Sequence, residues 1–184
     1  PREGQKVLHE RPQALGILSG SIEALPSREC VDLALSRLTA RRMRQALPEV
    51  SVELDDDLPA IAADGEWLVE ALNKLFDNAC KFTPADGQIA VCARSTTDRA
   101  AQPVVQFTIT DSGRGIEAER LEQIFDRFYQ AEGSLRRTVG GTGLGLAICR
   151  LIIESFGGTI WAESAGRDRG SSFHFTVPVA NHTD

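Results

Sequence analysis

A two-layer α/β sandwich, with a mixed or largely antiparallel sheet covered on one face by helices, is the fold class this sequence predicts. Three observations predict it. Apolar residues recur at helical spacing over 64–82 and 144–156. Short alternating runs over 89–94, 104–110, 159–163 and 172–177 read as strands. Those strands come in adjacent pairs set apart from the helices, which favours hairpins over regular crossover units.

The chain has 184 residues, 42% hydrophobic and 25% charged, enough to bury one core. That composition excludes disorder, collagen-like repeats and low complexity. The net charge is −6, from 20 basic and 26 acidic residues. Such a balance argues against a binder of nucleic-acid backbone, which needs a basic face. Arg41, Arg42 and Arg44 read as a solvated helix face. The cysteines at 30, 80, 92 and 149 show no Cys-x-x-Cys or metal-ligand spacing, so they read as reduced thiols of a reducing compartment. No apolar run approaches the ~18 residues of a membrane span, and no signal peptide is evident. The expected location is cytoplasmic, whether or not a parent protein is membrane-anchored. A chain beginning at Pro1 reads as a fragment of something longer.

In chain order, residues 1–27 read as a linker holding Pro1, Pro12 and Pro26, with a short helix over 13–25. Val31, Leu35, Leu38 and Met43 predict a helix over 28–46, which Pro48 stops. Residues 51–54 alternate as a strand, 55–59 form a turn and 60–63 a second short strand. Asp64 is placed to cap the helix that follows, its carboxylate accepting from free backbone N–H groups. That helix runs to about Phe82, ahead of Thr83-Pro84. Residues 95–103 form a hairpin-like loop, 117–128 is helical in its first part, and 133–142 is a loop. Gly157-Gly158 ends the last helix. The final two strands flank a turn at 165–170. One domain over 28–180 and a tail at 181–184 complete the organisation.

Three places carry chemistry. On the helix over 64–82, Trp67, Leu68, Ala71, Leu72, Leu75, Phe76, Ala79 and Cys80 form the apolar stripe. Asn78 lies at its edge, flanked by Lys74 and Lys81. An amide oxygen is a hard ligand suited to Mg²⁺, and ammonium suits phosphate. Second, the strand over 104–110 runs into Asp111-Ser112-Gly113-Arg114-Gly115-Ile116, a carboxylate followed by glycines that let backbone approach a flat ligand. Third, Gly140-Gly141-Thr142-Gly143-Leu144-Gly145-Leu146 opens a helix, where free N–H groups form an anion site. Neither G-x-x-x-x-G-K-[ST] nor G-x-G-x-x-G occurs, so a nucleotide site here is of another design.

Together these segments resemble the catalytic and ATP-binding domain of bacterial sensor histidine kinases. That domain has the Bergerat-type fold shared with gyrase-type, Hsp90-type and mismatch-repair ATPases. The resemblance covers about residues 30–179. Leu75 to Thr83 is similar to the family's N box, Asp111 to Ile116 to its first glycine box, Ile124 to Phe128 to its F box, and Gly141 to Leu146 to its second glycine box. Gly157 to Trp161 and Gly170 to Phe173 resemble its closing segments.

The resemblance implies roles for these positions. Asn78 would hold Mg²⁺ against the triphosphate and Lys81 would contact phosphate. Asp111 would accept the adenine amine, helped by Ser171 or Ser172 through water. Gly113 and Gly115 would pass close to the nucleotide, with Phe82 and Ile116 beside them. Residues from about 117 to 141 would form a lid anchored by Phe125 and Phe128. Gly141, Thr142, Gly143, Leu144, Gly145 and Leu146 would cradle phosphates. The implied reaction moves the γ-phosphoryl group of ATP to a histidine on a separate helical hairpin, then to an aspartate of a response regulator. Residues 1–27 would be a remnant of the preceding dimerisation helices, and the isolated chain would be monomeric.

The pattern departs from the family at two places. Lys74 stands where the family has Asn or an acid; a protonated Lys is no general base. His9-Glu10 resembles the start of an acceptor motif, but Pro12 follows too closely, so His9 reads as linker. His174 lies opposite Phe173, Phe175 and Val177 and reads as a strand-surface histidine, and His182 falls in the tail. An alternative to the kinase is a degenerate nucleotide-binding or docking module. A serine kinase on the same fold is a third reading.

Overall fold

The computed structural model describes residues 23–42, 48–129 and 143–180. The elements are β1 (Glu23–Pro26), α1 (Ser27–Arg42), β2 (Glu49–Leu54), β3 (Ala60–Ala63), α2 (Gly65–Phe82), β4 (Gln88–Thr97) and β5 (Pro103–Asp111). Two 3₁₀ turns follow at Ala118–Arg120 and Gln123–Phe125, then α3 (Gly145–Ser155), β6 (Ile160–Glu163) and β7 (Ser171–Pro178). The main sheet has five strands in the order β2-β4-β5-β7-β6. β2 runs parallel to β4 and every other neighbour is antiparallel, so the sheet is mixed as expected.

Asp64 caps α2, its Oδ1 accepting from the Trp67 N–H at 3.1 Å. Leu68, Leu72, Leu75 and Phe76 are fully buried on that helix. They meet Ile89 and Val91 of β4, Phe107 and Ile109 of β5, and Phe173 and Phe175 of β7, all in one apolar cluster. Phe107 and Phe175 stack across the strands at 4.8 Å. Truncating one of these aliphatic side chains to Ala costs about 2–5 kcal/mol in such a core. The β4–β5 hairpin is longer than the alternation predicts because Asp98 closes it tightly. Its Oδ1 accepts from the N–H groups of Ala100 and Gln102.

Two elements differ from the sequence reading. The helix expected over 13–25 does not extend to its end, since Glu23–Pro26 is a strand paired antiparallel with β3; residues 1–22 lie outside the described residues. Ser27 Oγ donates to the Pro59 carbonyl at 2.5 Å, fastening this segment beside β3. The helical stretch expected at 117–128 is two separate 3₁₀ turns. A short run with few buried positions lacks the cooperative length an α-helix requires. No disulfide joins the four cysteines. Burial pushes the Cys149 thiol up to about 12, which leaves it an inert core group. No helix among the described residues is long and apolar enough to cross a membrane.

His174 is on the outer face of the sheet, as alternation predicts, but it is not open to solvent. Trp161 of β6 stacks on its ring at 5.0 Å. Its Nδ1 lies 3.0 Å from Thr108 Oγ1, while Nε2 is buried with no hydrogen bond among the described residues and has Glu163 at 3.8 Å. Burial lowers the pKa of His174, and the nearby Glu163 only partly offsets it. The fold therefore favours neutral imidazole. That contribution is complete above the ordinary value of about 6.5 and is lost as pH falls toward the lower folded value. The thermal midpoint of His174→Gln is expected to fall less than that of the parent chain between about pH 7.5 and pH 5.5. Parallel midpoint curves for the two would contradict this.

Candidate functional site

The site is assembled at the end of the sheet where β5 finishes and β7 begins. Register pairs Asp111 with Ser171. The Asp111 side chain is buried, with 4% of its surface exposed. Its Oδ1 accepts from the Gly113 N–H at 2.8 Å and its Oδ2 from Ser171 Oγ at 2.5 Å. A carboxylate offers about four acceptor positions, so two remain for an outside donor. The water-mediated link to Ser171 or Ser172 expected from the resemblance is therefore replaced by a direct bond from Ser171. Ser172 points to the other face and pairs with Thr110 Oγ1 at 2.9 Å.

The loop after β5 is clamped from both sides. On the α2 side, Arg114 N–H donates to the Phe82 carbonyl at 3.3 Å. A Cβ on Gly113 would stand 2.3 Å from that same carbonyl oxygen, so only glycine allows the approach. On the other side, the turn between β6 and β7 wraps the loop. Gly170 N–H donates to the Gly113 carbonyl at 3.0 Å, and Asp168 N–H to the Arg114 carbonyl at 2.7 Å. Ser164 Oγ accepts from Ile116 N–H at 3.0 Å and donates to the Gly170 carbonyl at 2.6 Å. Gly115 lies against the Gly166 carbonyl. Ser164 is thus a positioning residue that motif matching missed, and Gly170, which opens the closing segment Gly170 to Phe173, is a second one whose backbone role the motif does not state. The signal of Ser164 was present only as the end of a strand before a turn.

The end of α2 supplies the cationic margin. Arg114 lies over the Phe82 ring with its Cζ 3.7 Å from the centroid, and Lys81 Nζ is 5.0 Å from the same ring. Partial burial lowers the Arg114 pKa, with Arg120 adding to the effect and Asp111 opposing it. Arg114 stays charged nonetheless. Neither composition nor spacing singled out Arg114. Asn78 stands one turn before Phe82 on the same helix face. It is half-buried, and its amide makes no hydrogen bond among the described residues. An amide oxygen left without a protein donor fits a hard cation such as Mg²⁺. No cluster of three or more His, Cys, Asp or Glu capable of holding a metal occurs among the described residues.

Lys74 pairs with Glu70 one turn back, Nζ to Oε1 at 2.8 Å. A partly exposed i,i+4 pair of this kind is worth about 0.5 kcal/mol or less. Lys74→Asn is therefore expected to leave ATP affinity within about twofold of the parent. A larger loss in a titration would make Lys74 a principal phosphate contact.

Leu144 caps α3 without any side-chain hydrogen bond, and the N–H groups of Gly145 and Leu146 meet no acceptor among the described residues. The Gly143 carbonyl accepts from Phe128 N–H at 3.0 Å, tying the entry of α3 to the F-box segment. Gly141 and Thr142 lie outside the described residues, as do 130–140 of the expected lid. Phe125 packs on β7 two residues along from Ser171. It is buried edge-on against Phe173 at 6.3 Å and beneath Arg150 at 4.7 Å. Phe128, the other expected anchor, is 71% exposed, and its N–H donates to the Gly143 carbonyl.

Comparison with known proteins matches this geometry. Residues 63–181 match the family of histidine kinase-, DNA gyrase B- and HSP90-like ATPases. The adaptive-response sensory kinase SasA of Synechocystis sp. is 34% identical over 172 residues, covering 94% of this chain and 40% of SasA. The chain thus spans less than half of that relative. Among solved structures, the mycobacterial sensor histidine kinase MprB superposes with a TM-score of 0.70 at 27% identity, covering 86% of this chain and 97% of the other. The catalytic domain of histidine kinase ThkA gives 0.72 at 25% identity, covering 88% and 99%. On this evidence the chain belongs to the histidine kinase-, DNA gyrase B- and HSP90-like ATPases, as an ATP-binding catalytic domain of the sensor histidine kinase kind.

Proposed function

We propose that this chain binds ATP·Mg²⁺ at Asp111 and delivers the γ-phosphoryl group to a histidine on a separate helical hairpin, for relay to a response-regulator aspartate. The observation that carries the reading is the Asp111 carboxylate: buried, held from two sides, with acceptor positions to spare. A fixed acceptor of that kind takes the adenine amine and rejects a base presenting a carbonyl there. Asn78 would hold Mg²⁺, which when bound neutralises charge on the phosphate oxygens. Lys81 would contact phosphate, and the N–H groups opening α3 would donate to its oxygens. Gly113, Gly115, Phe82 and Ile116 shape the loop and the helix end against which the base would lie. Catalysis of this kind is positioning and charge neutralisation, with the acceptor imidazole as nucleophile. The partners are the dimerisation and phosphotransfer helices and the response regulator of a two-component system, in the cytoplasm where ATP is supplied.

The test has two arms. The chain is titrated with ATP with and without Mg²⁺, and then incubated with ATP and a separately supplied dimerisation hairpin. Saturable, Mg²⁺-enhanced binding and an acid-labile phosphoryl label on the hairpin are expected. Binding without any transfer would favour the docking module. An acid-stable label would favour the serine kinase.

A further inference from the structure

Arg114 is the charged side chain of the glycine loop that follows Asp111, and the chemistry proposed above gives it no part. Its main chain is fixed from both sides. The N–H donates to the Phe82 carbonyl at 3.3 Å, and the carbonyl accepts from Asp168 N–H at 2.7 Å. Gly113 before it and Gly115 after it lie against the carbonyls of Phe82 and Gly166. The starting point of the Arg114 side chain is therefore set by the same clamp that holds the Asp111 loop.

From that point the guanidinium reaches over the Phe82 ring, with Cζ 3.7 Å from the centroid. Lys81 Nζ is 5.0 Å from the same centroid, so two cations meet at one aromatic ring beside the Asp111 pocket. The carboxylates at hand are already engaged. Glu117 pairs with Arg120 at 2.9 Å and with Arg167 at 3.1 Å. Both Asp111 oxygens accept from within the fold, from Gly113 N–H and Ser171 Oγ. Arg114 itself forms no ion pair among the described residues. Partial burial and Arg120 weigh against its charge, and Asp111 supports it.

A guanidinium carries several N–H donors in its plane, and resting on an aromatic ring uses none of them. A partly desolvated cation with idle donors is stabilised by an anion, and the guanidinium fork suits phosphate oxygens. The ligand of the neighbouring pocket brings such oxygens. We propose that Arg114 is a further substrate-contacting residue, binding phosphate oxygens of the nucleotide beside Lys81 from the Phe82 ring. The inference rests on Asp111 as the carboxylate that takes the base. It assigns to one loop both ends of the ligand, the base to Asp111 and the phosphates to Arg114.

The test compares a ligand that has phosphates with one that has none. Arg114→Met keeps an unbranched apolar cover on Phe82 and removes the charge and the donors. ATP·Mg²⁺ is titrated into parent and variant by calorimetry, and adenosine by the amide shifts of the isotope-labelled chain. The variant is expected to bind ATP about tenfold more weakly and adenosine within about twofold of the parent. The ATP gap between the two is expected to narrow as salt is added. A purely structural role for Arg114 would weaken both ligands alike. Equal losses for ATP and adenosine, or no loss for either, would overturn the role of Arg114 and leave the Asp111 site standing. A parent chain that binds neither ligand, or that binds ATP undiminished as Asp111→Asn, would overturn the site and this inference with it.

Discussion

Asp111→Asn is expected to lower ATP affinity about 100-fold, corresponding to about 2–4 kcal/mol, and to leave the fold intact. Asn is nearly isosteric and can still accept from the Gly113 N–H. Its second atom is an NH₂ group in place of Oδ2, the atom that receives Ser171 Oγ at 2.5 Å. A donor then faces the adenine amine, which is itself a donor, in a buried site. The Ser171 hydroxyl can turn to accept, which is why the fold tolerates the change and the ligand does not. Titration by calorimetry, with the thermal midpoint as control, decides the matter. Unchanged affinity would remove Asp111 from the site.

Gly170→Ala is expected to destabilise the chain by about 2–5 kcal/mol and to lower ATP affinity by about tenfold or more. Gly170 has φ +70, and a Cβ there would stand 2.1 Å from the Asp111 carbonyl oxygen and 3.2 Å from the Ser112 Cα. Both obstacles are backbone and cannot rotate away. The loop carrying Asp111 must shift, and the Gly170 to Gly113 hydrogen bond goes with it. Gly145→Ala is the internal control. Among the described residues nothing lies within 4 Å of a Cβ at Gly145, and the position opens α3, where Ala is the better helix former. Equal midpoints for the two variants would refute the argument from close approach.

The parts of the fold written in local pattern were legible in advance. The α2 stripe and its Asp64 cap are local, and so is the alternation of β4, β5 and β7. Pairing between distant strands is not. Alternation puts His174 on the outer face but does not say that Trp161 will cover it, because the partner strand is chosen by the whole sheet. The Ser171 bond to Asp111 was read as water-mediated for the same reason, since the register that makes it direct joins residues 60 apart. β1 is hidden because four residues carry no periodicity, and the stretch around Pro26 reads as linker after a short helix. The edge position of β1 is what tolerates Pro26. Motif order locates Asp111, Gly113, Asn78 and Gly170, whereas Ser164 acts through backbone geometry outside any of these motifs, and the stacking of Arg114 on Phe82 is not legible from the glycine box that contains it.

The order in which the chain is synthesised gives the Asp111–Ser171 bond a further consequence. β7 lies between β5 and β6, yet it is the last strand made. A nascent chain halted after β5 holds Asp111 but lacks Ser171, Gly170 and the turn that clamps the glycine loop. Domains emerge from the ribosome at about 5–20 residues per second, so for several seconds the carboxylate exists without its site. Nucleotide capture therefore marks the completed sheet and favours it by mass action over one still lacking β7.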